Sequence, residues 1–358
     1  MEKIPPRPSA WTRRAFLVAA GLAGLSATAW FRSRRTDTAT DSGEAAAAGD
    51  SHPRLPAGSD AGVPVFYMPA YVGAAHAFET TRKARWVADS LQQAPIEGVW
   101  LTEHAALQAS DVLGVHSPEY VEAVRTGEPR ALAQSQGFAW DAGLWPMVLA
   151  SNGGVVAAAR AARQHGVAGA LASGLHHARR EHGAGFCTFN GLAIAAQALR
   201  AEGVRRILIL DLDAHCGGGT HSLIAGIDGL RQLDIAVDAF DQYDPAAGNT
   251  LDLLGSAAEY LPTLRNRLAA LADSEFDLCL YNAGMDPHQD CPVGGLAGVD
   301  ERLIAQRERI VFDWCRQRRL PVAFVLAGGY IGPGLGVEGL VGLHRLTLEA
   351  AAGRPPRA

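Results

Sequence analysis

Side chains that bind metal ions are concentrated in one short segment of the chain, residues 211–215 (Asp-Leu-Asp-Ala-His). Alternate residues of an extended segment point to the same side, so Asp213 and His215 can face one ion together. We predict that Asp286, in a later segment, is the third ligand. Two carboxylates and one imidazole leave coordination positions for water and substrate, as a catalytic zinc site requires. The alternative is that these acids cap helices or pair with arginines.

Two further clusters carry side chains suited to proton transfer and to stabilising negative charge. His176 and His177 are adjacent, and imidazoles titrate near neutral pH, so this pair can take a proton from water and pass it on. In the segment 328–330 (Gly-Gly-Tyr), the glycines let the backbone approach a ligand closely, and Tyr330 can face a developing oxyanion. Taken alone, either cluster has an ordinary structural explanation. Together with residues 211–215 they indicate a hydrolytic site.

Each cluster follows a short apolar run of the kind that forms strands buried on both faces of a parallel sheet. Ligands bind beyond the carboxyl ends of the strands in such sheets, so the clusters are expected to meet at one edge. The apolar runs are residues 168–172, 207–210, 278–281 and 322–326, and an earlier strand is predicted at 63–67.

Helical patterns lie between these runs. Ser117 and Pro118 predict the start of a helix, with the serine as its cap and the proline in its first turn. Gly166 is predicted to end the helix at 151–165. The other predicted helices are residues 80–92, 189–201, 258–272 and 300–318. Strands and helices in alternation predict a single α/β domain at residues 63–358, with three layers and a mostly parallel central sheet.

Composition limits the classes of function. The chain has 358 residues, 48% of them hydrophobic, which excludes an intrinsically disordered protein. The formal net charge is −5 and the body of the chain has no Lys/Arg run, so we expect no nucleic-acid partner. The five cysteines are odd in number and none lies in a CxxC pair, so neither a disulfide framework nor a Cys-rich zinc site is indicated.

Residues 1–35 have the pattern of an export signal. Arg13 and Arg14 precede an apolar run from Phe16 to Trp30, and residues 27–29 (Ala-Thr-Ala) form a cleavage-type site. This pattern predicts twin-arginine export, to the periplasm or to a membrane anchor if the signal is uncleaved, and a cytoplasmic protein if the extension is not used. Membrane contact is expected only through this segment. Residues 36–62 are predicted to be a flexible linker.

The motifs, taken in their order, resemble the histone deacetylase and acetylpolyamine amidohydrolase family. The matching segments are His116-Ser117-Pro118-Glu119-Tyr120, His176-His177-Ala178, residues 185–190 (Gly-Phe-Cys-Thr-Phe-Asn), residues 211–215, Gly284-Met285-Asp286, residues 294–296 (Gly-Gly-Leu) and residues 328–330. This resemblance implies an arginase-like fold. It also implies a zinc-dependent amidohydrolase that removes an acetyl or other acyl group from an acetylated amine by metal-activated water.

The resemblance also assigns roles to individual residues. Asp213, His215 and Asp286 would bind Zn²⁺, and Asp211 and Asp213 could contribute to a structural K⁺ site. His177 would be the general base and then acid, with His176, hydrogen-bonded to Asp211, as its electrostatic partner. Tyr330 would stabilise the oxyanion. The substrate-binding residues would be Gly185, whose carbonyl accepts the substrate N–H, Phe186, which walls the tunnel, and Gly329.

One position departs from the family pattern. Gly218 stands where a side chain normally hydrogen-bonds the second histidine, and we expect a water or Asn190 to substitute for it. This departure keeps open a catalytically silent protein that binds acyl-lysine or polyamine, and a binuclear manganese ureohydrolase shares the fold. The implied substrate is an acetyl-lysine or an acetylpolyamine. Export would favour small molecules or components of the cell envelope over histones.

Overall fold

A parallel sheet of eight strands forms the centre of the computed structural model, which describes residues 62–74, 81–246 and 248–354. The strands are β1 (Val63–Phe66), β2 (Val99–Thr102), β3 (Val167–Ala170), β4 (Ile207–Asp211), β5 (Leu230–Ala236), β6 (Thr250–Leu253), β7 (Leu278–Ala283) and β8 (Val322–Leu326). Their order across the sheet is β2-β1-β3-β8-β7-β4-β5-β6, and every neighbouring pair is parallel. The predicted export signal and all but the last residue of the predicted linker lie outside the described residues.

Helices connect the strands. They are α1 (Lys83–Gln93), α2 (Ala109–Leu113), α3 (Pro118–Thr126), α4 (Arg130–Ala133), α5 (Leu144–His165), α6 (Gly191–Ala201), α7 (Gly218–Ile224), α8 (Ala257–Ala270), α9 (Glu301–Gln317) and α10 (Val337–Ala351), with a 3-10 turn at Pro69–Val72. Within the described residues, no helix is both long enough and apolar enough to span a bilayer.

These helices cover both faces of the sheet. Tyr281 and Asn282 are consecutive residues of β7, so their side chains point to opposite faces. The ring of Tyr281 lies against Phe312 of α9, with centroids 5.9 Å apart. On the other face, Asn282 lies beside Gly174, which also faces Leu192 of α6. The three-layer α/β fold predicted from the sequence is confirmed.

Local sequence signals account for the ends of several helices. Ser117 Oγ accepts a hydrogen bond from the Tyr120 N–H at 3.3 Å and so caps α3, as predicted. Gly166 ends α5 with φ of 81°, also as predicted. The predicted start of α5 at Ser151 is wrong, because the helix begins seven residues earlier at Leu144. Pro146 falls in its first turn, where the missing N–H costs no helical hydrogen bond.

The strands that carry the site are wholly buried. Every residue of β4, β7 and β8 is buried, as their continuous apolar sequences predicted. The described residues belong to one compact unit.

Close packing between β3 and β8 gives a test of this core. A Cβ at Gly169 would overlap the ring of Phe324, its register partner. We therefore expect Gly169→Ala to lower the free energy of unfolding by about 1–3 kcal/mol, as overpacked cores do. Urea denaturation followed by circular dichroism measures the change.

Gly342→Ala is the matched control, because a Cβ at this position in α10 would meet no atom within 4 Å. Within a helix this change should stabilise by about 0.5–1 kcal/mol. Equal stability of the Gly169→Ala variant and the wild type would contradict the packing described for β3 and β8.

Candidate active site

Four neighbouring strands bring the predicted site residues to one edge of the sheet. β3, β8, β7 and β4 lie side by side and run parallel. Their carboxyl ends lead into the segments that contain His176 and His177, residues 328–330, Asp286 and residues 211–215. Segments far apart in the sequence therefore meet where ligands bind in open parallel sheets.

Asp213, His215 and Asp286 form a buried group whose ligand atoms all lie within 4.8 Å of one another. His215 Nδ1 is 3.1 Å from Asp213 Oδ1 and 3.2 Å from Asp286 Oδ2. Among the described residues, none donates a hydrogen bond of normal geometry to Asp286 Oδ2. A buried carboxylate oxygen without a donor, next to an imidazole nitrogen and a second carboxylate, fits the ligand set of a metal. This group can hold one ion.

Backbone N–H groups fix the two carboxylates in place. Asp213 Oδ2 accepts a hydrogen bond from Gly328 N at 2.6 Å, and its Oδ1 accepts one from His215 N at 3.1 Å. Asp286 Oδ1 accepts a hydrogen bond from Ala214 N at 2.9 Å. Each carboxylate oxygen has two lone pairs, so these bonds orient the groups and leave capacity to bind a cation.

Two members of this group, Asp286 and His215, bind protons more strongly than usual when no other cation is present. Burial raises the pKa of Asp286 to about 6, and the nearby charge of Asp213 acts in the same direction. Burial alone would lower the pKa of His215, but its contacts with the carboxylates of Asp213 and Asp286 raise it well above its usual value. Metal ligands must be deprotonated, so a bound cation would replace these protons.

The two adjacent histidines have opposite electrostatic environments. His176 Nδ1 lies 2.8 Å from Asp211 Oδ2. Burial would lower the pKa of His176, but the charges of Asp211 and Asp213 raise it to about 10, so this imidazole is a cation at neutral pH. For His177, burial and the charge of His176 lower the pKa to about 4, so this imidazole is neutral.

The partner of His177 is not the one expected from the sequence. A water or Asn190 was expected to replace the side chain missing at Gly218, and for Asn190 this expectation is wrong. Asn190 Nδ2 instead donates to the carbonyls of His176 and Ala178 and to the Thr220 hydroxyl. Asp241 takes the position, with Oδ2 at 3.0 Å from His177 Nδ1.

A cavity of about 110 Å³ lies next to these groups. It is lined by both histidines and by Asp213, together with Gly185, Phe186 and Tyr330. The ring of Phe186 stacks on Phe138, with centroids 5.2 Å apart, so Phe138 extends the aromatic wall predicted for Phe186. Gly185 and Phe186 both have positive φ, 49° and 67°, which turns this segment sharply at the cavity.

Tyr330 and Gly329 occupy different environments. Burial and the nearby carboxylates of Asp286 and Asp213 raise the pKa of Tyr330 well above its usual value, so its hydroxyl stays a proton donor. Gly329 packs towards Leu340 and His344 of α10 rather than forming the cavity wall. Its role in substrate binding stays a prediction.

Comparison with known proteins places this geometry in a family. Residues 76–243 match the sequence model of the histone deacetylase domain. A probable deacetylase of Methanothermobacter thermautotrophicus is 31% identical over 270 residues, which cover 67% of this chain and 76% of the relative. The chain belongs to the histone deacetylase family. Members of this family are amidohydrolases that act on acetylated amines and are generally metal-dependent.

Two further similarities extend the comparison. An uncharacterised protein of Picosynechococcus sp. is 36% identical over 250 residues, which cover 66% of this chain and 80% of that protein. The crystal structure of an acetylpolyamine aminohydrolase from Burkholderia pseudomallei has a TM-score of 0.66 and 22% identity, and the match covers 81% of this chain and 98% of that one. At this identity the structural likeness supports the deacetylase-type fold alone.

Asp241 and Lys83 are site residues that the sequence analysis missed. Asp241 follows β5, whose polar residues interrupt the apolar pattern of a buried strand, so the sequence pattern predicts no strand end near Asp241. Lys83 is 3% exposed and lines the same cavity, where its Nζ donates to the Ala327 carbonyl. It was assigned only to a helical stretch, because nothing in the sequence distinguishes it from a surface lysine.

The metal group gives a direct test. Removing the charge of one ligand should abolish tight binding, since two carboxylates and one imidazole leave no spare ligand. We expect Asp286→Asn to reduce bound zinc from about one ion per chain to near zero after dialysis. Metal analysis of the full-length protein measures this loss.

Asp290→Asn is the control, because Asp290 lies on the same segment with a side chain 48% exposed. It should bind as much zinc as the wild type. A full equivalent of zinc retained by Asp286→Asn would remove Asp286 from the ligand set.

Proposed function

We propose that the chain is a zinc-dependent deacetylase, which hydrolyses the amide bond of an acetylated amine to give acetate and the free amine. One observation carries this proposal. A neutral histidine beside a charged one, a tyrosine, and Asp213 of the Asp213–His215–Asp286 group all line one cavity. General acid–base catalysis and oxyanion stabilisation need this combination within reach of one reacting atom.

Asp213, His215 and Asp286 would hold the zinc ion. When bound, zinc supplies a Lewis acid that polarises the amide carbonyl and makes a water molecule more acidic. The structural K⁺ implied by the family stays a prediction. Among its predicted contributors, Asp211 is fully buried and accepts hydrogen bonds from Asn282 Nδ2 and the Asp213 N–H.

His177 is suited to move the proton. With Nδ1 next to the Asp241 carboxylate, its Nε2 is the nitrogen that can accept a proton from the attacking water. A pKa of about 4 keeps the ring neutral before the reaction. The protonated ring then gives this proton to the leaving amine as the C–N bond breaks.

His176 and Tyr330 complete the electrostatics. The cation at His176, with rings 4.0 Å apart, keeps His177 neutral and adds positive charge to the site. The protonated hydroxyl of Tyr330 donates a hydrogen bond to the oxyanion that forms on the substrate carbonyl.

The cavity walls support an acyl-amine substrate. Phe186 and Phe138 provide stacked apolar surfaces for the methylene chain of an acetylated lysine or polyamine. The carbonyl of Gly185, in the same segment, is the candidate acceptor for the substrate N–H. If the predicted export signal is used, the substrate is a small acetylated amine or a component of the cell envelope.

The two alternatives have less support. A binuclear manganese enzyme needs further Asp and His ligands, whereas the described residues contain a single group with suitable geometry. The silent binding protein depended on a missing partner for the second histidine, and Asp241 lies in hydrogen-bond reach of His177.

Tyr330 gives a prediction about the chemical step. Tyr330→Phe should lower kcat by about 10²–10³, the usual loss when one oxyanion donor is removed. The KM and the zinc content should change little, because the ring and the metal ligands remain. Steady-state acetate release at several substrate concentrations separates kcat from KM. An unchanged kcat would exclude this role for Tyr330.

The first test of the proposed function is acetate release by the zinc-loaded full-length chain. The substrates are an acetyl-lysine peptide, N-acetylputrescine and N-acetylspermidine, with Asp213→Ala as the inactive control. We expect release that the control loses, and the preferred substrate then identifies the amine from which the acetyl group is removed. Zinc bound at one equivalent without release from any of these substrates would count against the deacetylase.

A further inference from the structure

A residue from another segment fills the space beside Gly218. A Cβ at this position would lie 2.7 Å from Oδ1 of Asp241 and would overlap the Asp241 backbone carbonyl. The Asp241 side chain is only 8% exposed. A larger residue at 218 and Asp241 in its observed place therefore exclude each other. The carboxylate next to His177 comes from the segment after β5, not from the segment after His215.

Three donors fix the Asp241 carboxylate. Oδ2 lies 3.0 Å from His177 Nδ1 and accepts a hydrogen bond from the Gly219 N–H at 2.9 Å. Oδ1 accepts a hydrogen bond from the Arg179 guanidinium. Burial would raise the pKa of Asp241, but the hydrogen bond with His177 and the charge of Arg179 lower it below the usual value. Asp241 is therefore ionised and can only accept from His177.

The backbone of Asp241 is in the left-handed region, with φ of 61°. Few residues other than glycine adopt this conformation, although aspartate does so more often than most. Here the Phe240 N–H donates to Asp238 Oδ1 at 2.8 Å, and the Phe240 carbonyl accepts from the Cys216 N–H at 3.0 Å. The turn is thus tied to the residue next to the metal ligand His215, and it directs the carboxylate at His177.

We propose that Asp241 is the positioning residue of His177, in place of the side chain that Gly218 lacks. It fixes the tautomer in which Nδ1 carries the hydrogen and Nε2 is free to take a proton, and Arg179 holds Asp241 in turn. The kinetic consequence of this role rests on the proposed deacetylase function. Its effect on the tautomer of His177 does not.

The kinetic test compares Asp241→Ala and Asp241→Asn with the wild type in the zinc-loaded full-length chain. We expect Asp241→Ala to lower kcat by about 10–100-fold, as the loss of such orienting partners does. The KM and the bound zinc should stay within twofold, because neither the cavity wall nor the ligands change. Asp241→Asn keeps the size and one acceptor oxygen, so its loss should be smaller.

Asp244→Ala is the matched control, since Asp244 lies on the same segment and is exposed. It should retain wild-type kcat. A kcat for Asp241→Ala within twofold of the wild type, in an assay where His177→Ala is inactive, would overturn the proposal. If Asp241→Ala fails to fold, the comparison of Asp241→Asn with Asp244→Asn decides by the same criterion.

Nitrogen-15 spectra of the histidine side chains give a second readout that needs no substrate. His177→Gln identifies the signals of His177. The wild type should show a protonated Nδ1 and an unprotonated Nε2, and Asp241→Ala should shift this tautomer or mix it with the other. A wild-type Nε2–H tautomer, or identical signals in Asp241→Ala, would overturn the proposal. Absence of acetate release with the expected spectra would reject the deacetylase and leave Asp241 as the partner of His177.

Discussion

The carboxyl groups of Asp213 and Asp286 are buried together, with 2% and 0% of their surfaces exposed. Two ionised carboxylates so close in a medium of low polarity repel each other, and each has also lost its hydration. Backbone donors from Gly328 and Ala214 compensate for part of this cost, and a cation bound beside His215 would compensate for the rest. Three strands and the segments that follow them must hold this arrangement. The site can therefore form only if these strands take their observed order in the sheet.

The charges around the site give two identical side chains different protonation states. His176 and His177 are neighbours in the sequence, yet their pKa values are raised to about 10 and lowered to about 4. The first faces the buried acids Asp211 and Asp213. The second is buried with the positive charge of the first beside it. Environments that shift the pKa values of two titratable groups in opposite directions suit them to different roles. Here the same residue type can serve once as a fixed positive charge and once as a base.

Much of this arrangement could be predicted because its signals are local. The apolar runs of β4, β7 and β8 identified strands buried on both faces, and the polar residues after them identified the edge of the sheet. β5 could not be found in this way, since Arg231, Gln232 and Asp234 interrupt its apolar pattern. These residues belong to the strand because β4 and β6 supply its backbone partners, which only the folded chain reveals.

Asp241 illustrates the second limit of sequence reasoning. Its contact with His177 spans 64 positions and depends on a backbone turn that residue type alone does not specify. The glycine at 218 signalled that a side chain was missing, but not which segment would fill the space. A side chain that takes another's place from a distant segment can be recognised only when the positions of both segments in the fold are known.

The position of β8 has a consequence for how the molecule assembles. It is the last strand in the sequence, yet it lies between β3 and β7, and Val167 of β3 pairs with Val322 of β8. Until β8 is inserted, β3 and β7 each have an unpaired edge, and the histidines stand on a different half of the sheet from the metal group. A ribosome-bound chain that ends before residue 322 thus exposes two apolar strand edges that can pair with other chains. Contacts between segments so distant in sequence generally form slowly, so we expect assembly of the reacting groups to be a late event in folding.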